Sequence, residues 1–68
     1  MEGLEHLDHY DRIIINFLAN RGESTTNEVS TTLTISWATA TKHLTKLEKM
    51  GYVSRAEVGN ETRWAINE

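Results

Sequence analysis

At 68 residues, with 38% apolar side chains, the chain is one domain near the lower size at which a single core suffices, burying roughly 60% of its unfolded surface and leaving little room for an enclosed enzyme pocket. The absence of cysteine excludes a disulfide framework and thiolate metal ligation. The net charge of −3 excludes a uniformly basic surface, yet the charge is polarised: residues 1–35 carry two arginines against six carboxylates, whereas residues 36–68 carry five cations against four carboxylates.

No apolar run approaches the roughly 20 residues of a membrane span, and the acidic N-terminal stretch MEGLEHLDHY lacks a signal-peptide pattern. The expectation is a soluble cytoplasmic protein without a membrane partner. Internal repeats, low-complexity tracts and proline are absent from the sequence.

Leu7 to Arg21 reads as the first helix, with Leu7, Tyr10, Ile14, Phe17 and Leu18 along one stripe. Asp8 is a candidate N-cap, and Gly22 a stop. Ile13 and Ile15 flank the stripe, so this helix has more apolar surface than one packing face requires. They are either buried in the small core or form a subunit interface together with Leu4 and Leu7. Glu23 to Thr25 is a connector with room for one small strand. Thr25 and Glu28 then have the spacing of a capping box, which starts a second helix over residues 26–33 whose inward side chains are Val29 and Leu33. Thr34 and Ile35 form a tight turn, with Ile35 pointing inward.

The third helix, residues 36–50, begins with Ser36 as its cap and separates two faces. Ala40, Leu44 and Leu47 fall on one side, while Thr39, Lys42, Thr45, Lys46 and Lys49 fall on the other. A row of ammonium groups beside short hydroxyls suits phosphates and base edges in a duplex major groove; a merely solvated helix surface has the same composition. Two helices joined by a turn of three or four residues, the second bearing the cationic face, form a helix-turn-helix arrangement. Gly51 ends the third helix and the period changes. Tyr52 to Val58 and Thr62 to Asn67 are strand-like around a tip at Gly59 and Asn60, giving a hairpin over residues 52–67 whose Val53, Trp64 and Ile66 would cover the helices. Arg55 and Arg63 on that hairpin either reach the DNA backbone or a minor groove, or are solvated and balanced by Glu57 and Glu61.

The segments DRIIINFLANRGESTTNEVSTTLTIS, SWATATKHLTKLEKMGYVSR and GNETRWAIN, above all the Leu-x-x-Leu-x-x-x-Gly-Tyr-Val run from Leu44 to Val53, make the chain resemble a winged helix-turn-helix domain of MarR-type and ArsR-type bacterial and archaeal transcriptional regulators. The fold class this implies is α+β, mainly α: three helices and a C-terminal β-hairpin wing in a single domain over residues 1–68. The resemblance implies DNA contacts from Ser36, Trp37, Thr39, Thr41, Lys42 and Lys46, and from the wing at Arg55 and Arg63. It also implies a core role for Ala40, Leu44 and Leu47. The sequence departs from the family pattern at Ser24, where an apolar strand residue is usual, at Thr34, where glycine is common, and at Trp37, which is either partly buried or stacked on DNA. The extra dimerisation helices of MarR proteins and the cysteines of metal-sensing ArsR members are missing. Z-DNA-binding domains have a wing tryptophan similar to Trp64, but their recognition asparagine and tyrosine fall here on Thr41 and Thr45, and their wing prolines are lacking.

His6 and His9 with Glu2 or Glu5 have a spacing open to a metal, but an exposed, unligated pair is the simpler expectation. His43 is expected to pack or to face a neighbouring carboxylate. There is no P-loop, dinucleotide turn or nucleophile elbow. The combined expectation is a non-enzymatic, sequence-specific double-stranded DNA-binding protein, a transcriptional repressor acting as a homodimer at the nucleoid. Its contacts are Ser36, Trp37, Thr39, Thr41, Lys42, Thr45, Lys46, Lys49, Arg55 and Arg63, and neither cofactor, metal nor small-molecule effector is expected. The alternative is a winged-helix module for protein contacts within a larger assembly.

Overall fold

The computed structural model describes residues 7–67. The elements run α1 (His9–Arg21), β1 (Ser24–Thr25), α2 (Thr26–Leu33), α3 (Trp37–Lys49), β2 (Val53–Val58) and β3 (Glu61–Ile66). The strands form an antiparallel sheet of order β1-β3-β2, with Ser24 opposite Trp64 and Val53 opposite Ile66. The spacing noted at His6 and His9 involves residues that lie in part outside the described range.

Each helix start is held by a side chain. Asp8 caps α1, and its backbone is extended, so the helix begins at His9 rather than Leu7. Asp8 Oδ1 accepts the Asp11 amide at 2.9 Å while Asp11 Oδ2 accepts the Asp8 amide at 3.1 Å. Thr25 and Glu28 make the expected reciprocal pair at the start of α2, at 2.9 and 3.1 Å. Ser36 caps α3 through the Thr39 amide at 3.1 Å. These bonds satisfy backbone donors that a helix cannot satisfy itself.

The helix ends reveal a departure from the family pattern at work. After α3, Tyr52 N–H bonds to Leu47 O and Gly51 N–H to Glu48 O, with Gly51 left-handed at φ 88°. This is the Schellman arrangement, for which glycine is suited. After α2 the same two bonds recur, Ile35 N–H to Ser30 O and Thr34 N–H to Thr31 O, but the left-handed residue is Thr34 at φ 58°, ψ 46°. A β-branched residue there costs about 1–2 kcal/mol. The turn therefore keeps its geometry at a local expense, and Thr34→Gly is expected to raise unfolding stability by about 1 kcal/mol, after glycine's own entropy loss, in urea denaturation.

Ile14, Leu18, Val29, Ala40, Leu44, Leu47, Val53 and Trp64 form the core, with Phe17, Leu33, Ile35 and Ile66 packed at its margin. Trp64 ties the wing to the helices: its indole Nε1 donates to Thr26 Oγ1 at 2.7 Å inside the core. Ser24 does not prevent the three-stranded sheet. It is buried opposite Trp64, and its hydroxyl donates to Gly22 O at 3.1 Å, so the polar group in an apolar position has its partner. The wing turns through Gly59 and Asn60, with Gly59 at φ 63° supplying the positive angle at the first turn position. None of the described helices is long and apolar enough to cross a membrane.

Candidate nucleic-acid interface

The candidate interface is centred on α3. Burial of Ala40, Leu44 and Leu47 fixes the helix rotation, and that rotation presents Ala38, Lys42 and Lys49 to solvent, with Thr45 half-buried at the side. Lys42 and Lys49 have no carboxylate partner among the described residues. Trp37, at the first position of the helix, is 60% exposed. Of the two readings open for it, partial burial and an outward ring, the structure has the second: its side chain borders a cleft lined by Thr25, Thr26, Asn27, Asn60, Glu61 and Thr62. The ring is thus open to contact from outside.

Several expected contact residues are differently employed. Lys46 is turned aside: its ammonium bonds Asp11 Oδ2 at 2.6 Å, and Asp11 is fully buried in α1. The reason lies in the position of Asp11, one turn before Ile14 on the inward side of α1, where a carboxylate needs a cation. Thr41 is half-buried and its hydroxyl is enclosed without a hydrogen-bond partner, because a residue adjacent to Ala40 and three before Leu44 borders the core. That hydroxyl is enclosed by the protein rather than open to solvent. Ser36 Oγ, besides capping the helix, donates to Thr39 Oγ1 at 2.8 Å, which leaves Thr39 its own O–H for a ligand.

On the wing, Arg55 lies 3.7 Å from Glu48 and its guanidinium stands over the Trp64 ring at 5.9 Å. Arg63 pairs with Glu61 at 3.1 Å and Glu23 at 3.8 Å. The expected balance by Glu61 holds for Arg63. Glu57 instead accepts from Thr62 Oγ1 at 3.2 Å. Exposed ion pairs of this kind contribute little, so either arginine can exchange its carboxylate for a phosphate at small cost. Lys46 cannot do so as cheaply, since its departure takes the ammonium partner from a buried carboxylate.

Sequence reasoning missed the centre of this arrangement. Asp11 accepts from His43 Nδ1 at 2.7 Å as well as from Lys46, joining α1 to α3, and Asp8 Oδ2 lies 3.8 Å from the same nitrogen. His43 does face a carboxylate, as anticipated. Burial alone would push the Asp11 carboxyl up, but hydrogen bonds from Lys46, His43 and the Asp8 amide outweigh it and hold it below the usual aspartate value. Asp11 raises the Lys46 ammonium in turn, against desolvation. Because the folded value of Asp11 is depressed, its stabilising contribution is complete above the unfolded value of about 3.9 and is lost as pH falls through the lower folded one. Urea denaturation of the wild type and Asp11→Asn from pH 2 to 6 is expected to show a stability gap that is constant at the upper end and closes at the lower.

The family profile described as winged helix-turn-helix DNA-binding matches residues 7–54. Among solved structures, a mutant form of Lactococcus lactis ZitR is 28% identical, with TM-score 0.83, over 91% of this chain and 44% of that one. The homodimeric winged helix-turn-helix DNA-binding domain of Mb0332 from Mycobacterium bovis, described as a possible ArsR-family transcriptional regulator, is 23% identical, with TM-score 0.85, over 90% of this chain and 56% of that one. The Zalpha domain of Carassius auratus PKZ, solved in complex with Z-DNA, is 23% identical, with TM-score 0.77, over 84% of this chain and 90% of that one. The chain thus spans about half the length of the first two structures. No curated protein sequence matches it.

Proposed function

Because the chain belongs to the winged helix-turn-helix DNA-binding family, and is a DNA-binding domain of the transcriptional-regulator type, we propose that it reads a specific duplex sequence with α3 in the major groove and represses transcription by occupying a promoter. The observation that carries this reading is the uncovered outer face of α3, where Ala38, Lys42 and Lys49 project away from the buried Ala40, Leu44 and Leu47. Lys42 approaches base edges and Lys49 a phosphate, with Thr39 and Thr45 beside them. Trp37 stacks against sugar at the start of the helix. The wing arginines exchange Glu48, Glu23 and Glu61 for backbone phosphates.

The two lysines without a carboxylate partner among the described residues give only a shallow electrostatic hold, which favours two copies on a two-fold site. Ile13 is exposed on α1 and lines a shallow groove with Leu7, Ile15, Ala19 and Tyr52, and this face is offered as the contact between copies. The same face serves the second reading, a winged helix used for contact with another protein.

Selection of duplexes from a random pool, followed by titration of the chosen site against salt, tests the proposal. A site is expected to emerge, with log affinity falling linearly against log salt. Failure to enrich any duplex, or an affinity indifferent to salt, would move the function to the α1 face.

A further inference from the structure

Asp8, Asp11 and His43 bring one donor atom each within 4.8 Å of one another. The two carboxylates belong to the N-cap and first turn of α1, and the imidazole to the middle of α3, so the cluster bridges the scaffold helix and the reading helix. Asp11 Oδ1 lies 2.7 Å from His43 Nδ1, and Asp8 Oδ2 lies 3.8 Å from it. A first-row divalent ion holds imidazole nitrogen and carboxylate oxygen at about 2.0–2.2 Å, which sets two donors on one ion roughly 3–4 Å apart. The Asp8–His43 separation lies within that span, while the 2.7 Å Asp11–His43 contact is a hydrogen bond that must lengthen for an ion to enter.

Asp11 Oδ1 is engaged by His43 Nδ1, a bond that ligation replaces, and the remaining oxygens of both carboxylates are spoken for. Asp8 Oδ1 accepts the Asp11 amide, while Asp11 Oδ2 accepts the Asp8 amide and the Lys46 ammonium. Ligation through Asp8 Oδ2 and Asp11 Oδ1 therefore leaves the cap of α1 intact. Asp8 is exposed and gives a path of entry from solvent. A cation already favours this position, namely the protein's own Lys46, 2.6 Å from Asp11.

We propose that Asp8, Asp11 and His43 form a site for a zinc-type divalent cation, for which Lys46 is the internal competitor. Imidazole nitrogen with two carboxylate oxygens is a donor set suited to such ions, with water completing the shell. To ligate through Nδ1, His43 gives up its hydrogen bond to Asp11 Oδ1 and, as the neutral imidazole, carries its one proton on Nε2. The ion places two positive charges at the edge of α3 and weakens the hold of Asp11 on Lys46, which then becomes available to phosphate. Occupancy is thereby linked to the affinity of the reading helix for an anionic partner.

The test uses untagged protein stripped with a chelator, titrated calorimetrically with Zn²⁺ and followed with Co²⁺ by visible absorption, in the absence of DNA. One ion per chain is expected. Asp8→Asn, which keeps a capping oxygen, and His43→Gln are each expected to weaken binding by about tenfold or more. His9→Gln serves as the control and is expected to leave binding unchanged. Lys46→Gln is expected to tighten it severalfold, an effect that a merely structural cluster would not produce. Should His43→Gln fail to fold by circular dichroism, Asp8→Asn still decides. The proposal is overturned by an absence of binding in the wild type, by affinity that survives Asp8→Asn, by loss of binding in His9→Gln, or by an affinity that Lys46→Gln leaves unchanged or lowers. No step of this test depends on whether the protein binds DNA.

Discussion

Trp64→Ala is expected to leave the domain mostly unfolded at 25 °C, with circular dichroism losing its cooperative thermal transition. The side chain is 2% exposed and is the largest in the core. Truncating a buried tryptophan to alanine costs about 3–5 kcal/mol through lost transfer energy and the cavity left behind. A domain of this length has roughly 3–10 kcal/mol in total. Two further losses fall on the same residue. Thr26 Oγ1 is left without its 2.7 Å donor, and the Arg55 guanidinium without the ring beneath it. Trp64→Phe separates the two kinds of loss, because it keeps most of the apolar volume and removes only the N–H. Its expected cost is about 1–2 kcal/mol, and the transition remains cooperative.

The second large effect concerns binding rather than folding. Lys42→Ala combined with Lys49→Ala is expected to lower affinity for a selected duplex by on the order of 100-fold near 0.1 M salt, and to reduce the salt slope by about one for each phosphate no longer neutralised. Both side chains are exposed, and neither has a carboxylate partner among the described residues, so folding stability should be unaffected in urea denaturation. The single variants are expected to differ in kind. Lys42→Ala relaxes sequence preference, whereas Lys49→Ala weakens all duplexes alike and flattens the slope. Lys46→Ala is not equivalent to either, because it also strips the buried Asp11 of a partner and is expected to destabilise the fold.

The architecture was legible because its signals are local and mutually consistent. The inward positions of α3 follow from helical spacing, the start of α2 from Thr25 and Glu28, and the wing turn from Gly59 and Asn60, and each of these is what the structure has. What was hidden depends on contacts distant in sequence. The stripe assigned to the first helix included Tyr10, which is exposed, and omitted Asp11, which is buried. A signal did exist, since Asp11, Ile14 and Leu18 stand at i, i+3 and i+7, but a carboxylate in an apolar stripe does not reveal which cation meets it. That cation is 35 residues away, and its capture removes Lys46 from the outer face on which helical phase had placed it. Trp37 stayed open between partial burial and an outward ring, because helical phase says nothing about where the core ends along the helix axis; the structure leaves it exposed. The pairing of Arg55 with Glu48 was illegible for the same reason as Asp11 with Lys46: it joins the wing to α3 through packing alone.

Backbone amide shifts of the labelled protein, titrated with its selected duplex, test most directly whether the uncovered side of α3 is the working surface. The largest changes are predicted at Ala38, Lys42, Thr45 and Lys49, with smaller ones at Trp37 and at Gly59 and Asn60 of the wing. Changes confined to Tyr10, Ile13 and Asn16 on α1, with α3 unmoved, would contradict the account.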